Sequence, residues 1–164
     1  MKQKKSVFFA TLLGIIFLAA SATSAPTKNH VANPPKSIQG FWYTENRRGG
    51  VELYSCGDQI CGRFQWISDE EGPTSRDDNN PDPALRQRPL CHMQFMNGFA
   101  SDPDQKNHFI DGTIYNPHDG GLYSAEMTLV DENTLRLRGY LFLPFLGESQ
   151  IWRRAKTMPS CASG

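Results

Sequence analysis

Period-two alternation of apolar and polar positions recurs along this chain, and the 3.6-residue repeat of an amphipathic helix is almost absent. Tyr123, Ala125, Met127 and Leu129 alternate with Ser124, Glu126 and Thr128. Leu135, Leu137, Gly139, Leu141 and Leu143 alternate with Arg136, Arg138 and Tyr140, and Ile60, Gly62, Phe64 and Trp66 alternate with Cys61, Arg63 and Gln65. Successive strand side chains point to opposite faces, so each run predicts a strand with one buried face. Turn chemistry separates the runs at Asn46-Arg47-Arg48-Gly49-Gly50, Cys56-Gly57-Asp58, Asn116-Pro117-His118-Asp119-Gly120-Gly121 and Asp131-Glu132-Asn133. Strands are expected near 40–44, 51–56, 60–67, 91–98, 109–116, 122–130, 134–143 and 148–154. Roughly eight strands joined mostly by short hairpins predict an all-β, up-and-down antiparallel barrel, whose closure removes the unpaired edges of an open sheet. A β-sandwich is the main rival, but its long crossing connections are not visible.

The ends of the strand set carry the seam. Gly40-Phe41-Trp42 on the first strand and Trp152-Arg153-Arg154 on the last are where a closed barrel joins its two edges. Gly40, Trp42, Trp152 and Arg154 are therefore the barrel-closure residues. Arg154 shares a face with Trp152 and is placed to cap an indole at the sealed base, a cation–π contact on the order of 1 kcal/mol.

One connection, 68–90, is too long and polar for a hairpin turn, and a structureless loop of this length is usually functional or disordered. Asp77, Asp78, Asn80 and Arg86 are its lid candidates. Asp78-x-Asn80-x-Asp82 superficially matches the start of a calcium loop. Yet Pro83 stands where the sharp turn needs Gly, and Pro89 where a bidentate Glu is needed. Asx turns that lock the loop, with Arg86 or Arg88 pairing its carboxylates, are the better account. Such a loop either folds over a barrel mouth or crosses through solvent.

The chain's beginning has a different character. Three lysines in Met1–Lys5, an apolar run over 7–20 and the small residues Ala20-Ser21-Ala22 predict a signal peptide over 1–22, cleaved near Ala22. A cut after Ala25 is disfavoured by Pro26, and an uncleaved anchor is the alternative. The apolar run is short of the roughly 20 residues of a spanning helix. Residues 23–37 read as a flexible leader, 38–155 as the barrel domain and 156–164 as a C-terminal tail. The expected location is periplasmic or secreted, with no membrane span after cleavage. About 140 residues then remain, enough for one domain.

Acidic and basic residues balance at 17 each, and no basic stripe exists to track a phosphate backbone, which excludes nucleic acid as a natural partner. Cys56, Cys61, Cys91 and Cys161 remain after processing, and an even count in an oxidising compartment predicts bridges. Cys56 and Cys61 flank a four-residue turn and face each other at a separation that a disulfide spans. Cys91–Cys161 follows by elimination.

Catalytic signals are missing. His30, His92, His108 and His118 show no zinc-ligand spacing, there is no G-x-S-x-G, and no two carboxylates are marked as a dyad. No metal, cofactor or catalytic residue is assigned. Arg63, Glu126, Arg136, Arg138 and Gln150 alternate with large apolar residues and read mainly as surface groups. A ligand-binding barrel turns a few polar groups inward among its aromatics, and Arg138 is the candidate for that role.

Gly40-Phe41-Trp42, Val51-Glu52-Leu53-Tyr54-x-Cys56-Gly57-Asp58-x-x-Cys61-Gly62-Arg63, Asp78-x-Asn80-Pro81, Arg86 and Pro89-Leu90-Cys91 together resemble the bacterial Domain of Unknown Function 2147 family. The second half agrees through Gly112-x-Ile114-Tyr115-x-Pro117-x-x-Gly120, Tyr123, Leu135-x-x-Arg138-Gly139-Tyr140, Gly147 and Gln150-x-Trp152-x-Arg154. The resemblance implies an exported, lipocalin-like barrel with no established activity. The ends also echo lipocalins and fatty-acid-binding proteins, which hold small apolar ligands. Asn116, His92, Phe109 and Glu148 depart from the pattern, which usually has Asp, Gly, Trp and a basic residue there. No charged-ligand site is carried over, because Glu148 reverses the sign near the last strand.

The leading expectation is a barrel that binds a small-molecule or lipid-like, partly apolar ligand. Trp42, Phe64, Trp66, Tyr115, Tyr123 and Trp152 would form an aromatic wall, and Arg138 would set orientation. One alternative is an envelope interaction module with a solid barrel, acting through the 68–90 loop and the turn at 116–121. Another is a hydrolase using Asp77 or Asp78. Whether the interior is open or packed shut separates the first from the rest.

Overall fold

The computed structural model describes residues 37–68, 70 and 75–161. The expected signal peptide and the leader up to residue 36 lie outside the described residues. Eight strands follow in order: β1 (Gly40–Tyr43), β2 (Gly49–Cys56), β3 (Gln59–Ile67), β4 (Gln94–Ser101), β5 (His108–Asn116), β6 (Gly121–Asp131), β7 (Thr134–Tyr140) and β8 (Glu148–Ala155). Each pairs antiparallel with the next, and β1 pairs with β8, so the sheet closes as the expected up-and-down barrel. Short 3₁₀ turns at Pro83–Leu85 and Pro144–Leu146 interrupt two of the connections.

The topology gives the barrel two unlike ends. Residues 37–39 and the turns β2–β3, β4–β5 and β6–β7 gather at one end, and the loops 44–48, 117–120 and 141–147 at the other, with the described part of the β3–β4 connection, 75–93. The first end is packed shut. Trp42, Leu53, Met96, Phe99, Met127 and Leu135 are all fully buried there, within a cluster that continues toward Trp152.

Arg154 closes this end. In register with Trp42, it lies 4.1 Å from the indole centroid and donates to the carbonyls of Glu132, Gln39 and Ser37 at 2.5, 2.9 and 2.8 Å. Trp42 Nε1 donates to the Ile38 carbonyl at 2.9 Å, so the buried indole N–H is satisfied. Gly40 has φ +117° and leaves only 3.3 Å between a would-be Cβ and Arg154 Nη1, so a side chain would strain the backbone and crowd the cap.

Three expectations need correction. β7 ends at Tyr140 rather than 143, because its ladder stops at Gly139–Glu148 and the chain then turns through Pro144, which offers no N–H. β4 begins at Gln94 rather than 91 and runs to Ser101, because His92 takes a left-handed φ of 61° that breaks the extended run. Trp66 does not share a face with Phe64. Gly50 faces Trp66 while Val51 faces Phe64, so β3 carries an extra residue, Gln65, and the bulge reverses the alternation. Trp66 lies edge-on to Tyr43, whose register partner is also Gly50, on the outer surface.

Both cysteine pairs, Cys56–Cys61 and Cys91–Cys161, are disulfide-bonded. The second pins the C-terminal segment against the barrel, where the Cys161 N–H also donates to the Gln65 carbonyl at 2.8 Å.

Candidate ligand-binding cavity

The open end of the barrel holds a cavity of about 880 Å³, in the range of small-molecule sites, which run from roughly 300 to 1,000 Å³. Its wall is built by inward positions of β3 to β8. Phe64 and Phe95 stack with centroids 4.0 Å apart, and Ile114, Tyr123, Leu137 and Trp152 continue the surface. Phe95 reaches this wall because β4 bulges: Gly62 faces Met96 and Arg63 faces Gln94, so two consecutive residues, Phe95 and Met96, are both buried.

Polar groups are few within the wall. Gln150, in register with Leu137, accepts a hydrogen bond from Trp152 Nε1 at 3.0 Å. That bond uses the amide oxygen of a residue that lines the cavity. Gly139 lines the same side, and a Cβ placed on it would meet nothing within 4 Å. The wall is therefore indented at this point.

The rim is mostly polar. Thr44, Asn46 and Arg48 come from the β1–β2 loop, and Ser75, Arg76 and Asn79 from the long connection. On the β5–β6 turn Asp119 accepts from Tyr123 Oη at 2.7 Å, the Gly121 N–H at 2.7 Å and Asn116 Nδ2 at 2.9 Å. The Tyr123 bond is the leading cause that holds the Asp119 carboxyl below its ordinary range, and Asp119 in turn pushes the phenol up.

The long connection is anchored by a buried carboxylate. Asp77 is fully buried. Its Oδ1 accepts from Tyr115 Oη at 2.5 Å, and its Oδ2 from Asn80 Nδ2 at 2.6 Å and from Arg88 Nε and Nη2 at 2.8 Å each. Burial alone would raise the Asp77 pKa, but these donors outweigh it and the carboxyl lies below its ordinary value. Burial, then Asp77, raise Tyr115. Arg86 Nε donates to the Asn80 carbonyl at 2.8 Å, and the Asp82 N–H closes an Asx turn on Asn80 Oδ1 at 2.9 Å. Asn79 Nδ2 then ties the loop to the β5–β6 turn through the carbonyls of Pro117 and His118. Gly120 permits this approach: it has φ +70°, and a Cβ there would collide with the Asn79 carbonyl.

The candidate residues thus separate. Phe64, Tyr115, Tyr123 and Trp152 border the cavity, and so does Asp78 on the long connection. Trp42 is buried beneath it. Trp66 faces outward, as described above. Arg138 also faces outward: it is in register with Glu126 and Ser149 and donates to the Pro144 carbonyl at 2.5 Å and to Ser149 Oγ at 2.9 Å. Its neighbours Leu137 and Gly139 take the inward positions, so strand alternation excludes Arg138 from orienting a ligand inside. Asp77, Asn80 and Arg86 hold the loop's shape. The sequence reading missed Phe95, whose bulge has no period-two signal, and Gln150, whose alternation with Trp152 carries that signal in the pattern Gln150-x-Trp152.

No group of three or more His, Cys, Asp or Glu is placed to hold a metal among the described residues, and no described helix is long and apolar enough to cross a membrane. A histidine–carboxylate pair, His108 Nδ1 at 2.8 Å from Asp102 Oδ2, sits at the closed end, away from the cavity.

No curated protein matches the chain. A solved structure described as "Protein HP1028 from the human pathogen Helicobacter pylori belongs to the lipocalin family" is similar to it, with a TM-score of 0.66 and 20% identity, covering 73% of this chain and 84% of that one. At that identity the likeness concerns the fold, and it agrees with a lipocalin-like barrel. The family described as "Uncharacterized protein conserved in bacteria (DUF2147)" matches residues 40–154. The chain belongs to the DUF2147 family.

Proposed function

We propose that this protein binds or carries a small, partly apolar molecule in the mouth of its barrel, in the bacterial periplasm. The observation that carries this reading is the division of the interior: one end is filled by Trp42, Phe99 and Met127, and the other holds a cavity of about 880 Å³. Evolution of a merely structural barrel has no reason to leave aromatic surface there uncovered, since burying it returns about 25 cal/mol per Å². The ligand's apolar body lies against Phe64, Phe95, Ile114, Leu137 and Trp152. An acceptor on the ligand, such as a carbonyl or carboxylate, meets the Gln150 amide. The polar rim faces the ligand's other end. Two disulfides support an oxidising compartment.

The reading is tested by native mass spectrometry and solvent extraction of the protein purified from the envelope of its own host. A co-purifying small molecule of constant mass is expected, and repeated recovery of empty protein would contradict it. The interaction-module alternative requires a solid barrel, which this interior does not favour. For the hydrolase alternative, both oxygens of Asp77 are engaged by Tyr115, Asn80 and Arg88, which leaves that role to Asp78 at the cavity border.

A further inference from the structure

The β7–β8 loop is unlike the other three rim loops. Residues 141–146 read Leu-Phe-Leu-Pro-Phe-Leu, and no charged residue occurs from 139 to 147. Phe142 is 86% exposed, Phe145 72% and Leu146 71%, with Leu141 and Leu143 also outward. Exposed apolar residues scattered singly are ordinary, but five in six consecutive positions are not.

We infer that this loop is a tip that inserts into the acyl region of a phospholipid bilayer and opens the cavity toward it. Three observations select a bilayer as the occupant. First, the apolar surface is continuous: Leu141, Phe142 and Leu146 line the cavity and are also exposed outside, so an apolar path leads from the barrel interior over this part of the rim. Second, the tip is a tight turn closed by bonds of its own backbone. Leu146 N–H donates to the Leu143 carbonyl at 3.0 Å and Gly147 N–H to the Pro144 carbonyl at 3.1 Å. Pro144 has no N–H, and its carbonyl also accepts from Arg138 Nε at 2.5 Å. These bonds lower the number of polar groups to be dehydrated, and the remaining backbone keeps its water at the headgroup–acyl boundary while the apolar side chains reach past it. Third, the apolar surface ends at the tip. Five such side chains present on the order of 600 Å², at the bottom of the range of a standard protein interface. The neighbouring rim, with exposed Arg47 and Glu148, offers a protein partner no apolar extension.

A neutral apolar tip binds by partition rather than by charge, so association with zwitterionic vesicles is expected and salt has little effect on it. The route into the cavity rests on the ligand-binding reading, while insertion of the tip does not.

Flotation with phosphatidylcholine vesicles, with and without added phosphatidylglycerol, tests the inference on the signal-free chain. The parent protein is expected to float with both compositions, in low and high salt alike. The double variant L143S/F145S removes two exposed side chains that do not line the cavity. It is expected to lose vesicle partition by at least about tenfold, with an unchanged thermal melt and unchanged binding of a dansyl-labelled fatty acid in vesicle-free solution. A parent protein that does not float, a variant that floats equally, flotation that needs phosphatidylglycerol, or a concentration-dependent dimer abolished by the same substitutions would each overturn it. If the parent floats but binds no fatty-acid probe, the tip stands and the ligand reading falls.

Discussion

Tyr115 and Asp77 are joined by a 2.5 Å hydrogen bond from the phenol to a carboxylate that has no solvent exposure, across 38 residues of chain. This bond ties the long β3–β4 connection to β5 at the cavity edge. With Arg88 and Asn80 supplying the remaining donors, Asp77 anchors the loop.

Removing that charge should loosen the loop without dismantling the barrel. Asp77→Asn is expected to cost about 1–3 kcal/mol, because the buried site loses the charge that Arg88, Asn80 and Tyr115 all donate to. Hydrogen exchange should show lost protection over 75–90 and little change over β6 and β7. Equal loss throughout would show that the loop is not a separable unit.

The same group gives the loop a pH dependence of known sign. Asp77 is lowered on folding, so its stabilising contribution is complete above the unfolded value of about 3.9. It is lost as pH falls from there through the folded value. Acid should therefore reproduce the exchange pattern of Asp77→Asn in the parent protein, and the variant itself should show a flatter response over that window.

At the closed end, Arg154 donates to three carbonyls and covers Trp42. Arg154→Met is expected to lower stability by about 2 kcal/mol in urea titrations. Arg154→Lys should recover little of it, because an ammonium cannot reproduce the planar fork. Ligand affinity should not change in either variant, since this end lies away from the cavity.

The two disulfides differ in the loops they close, with separations of 5 and 70 residues. Chain entropy assigns about 2 kcal/mol to the short loop and about 4 kcal/mol to the long one. The paired Cys91→Ser, Cys161→Ser variant should thus melt at a lower temperature than the Cys56→Ser, Cys61→Ser variant. The reverse order in calorimetry would contradict this assignment.

Strand number, closure and both cysteine pairings were legible in the sequence because each rests on local signals: alternation, turn residues and spacing. Gly40-Phe41-Trp42 and Trp152-x-Arg154 marked the seam correctly for the same reason. What alternation does not encode is a bulge. One extra residue at Gln65 sends Trp66 outward, and another irregularity brings Phe95 inward beside Met96. Arg138 was placed inward although its own strand pattern, shared with Arg136 and opposite to Leu137, points outward. The period-two run through Leu141 and Leu143 read as strand, but those side chains form an exposed tip because Pro144 ends the ladder. The extent of the cavity was not legible, since filled and empty barrels share one alternation.

Gly139 offers the most direct measurement. It lies on the cavity wall in an ordinary backbone conformation, with nothing within 4 Å of a would-be Cβ. Gly139→Trp should project an indole into the cavity, lowering affinity for a dansyl-labelled fatty acid by at least about tenfold, with unfolding free energy changed by less than about 1 kcal/mol. A Gly139→Trp protein that is equally stable and binds the probe as tightly as the parent would contradict the assignment of ligand binding to this cavity.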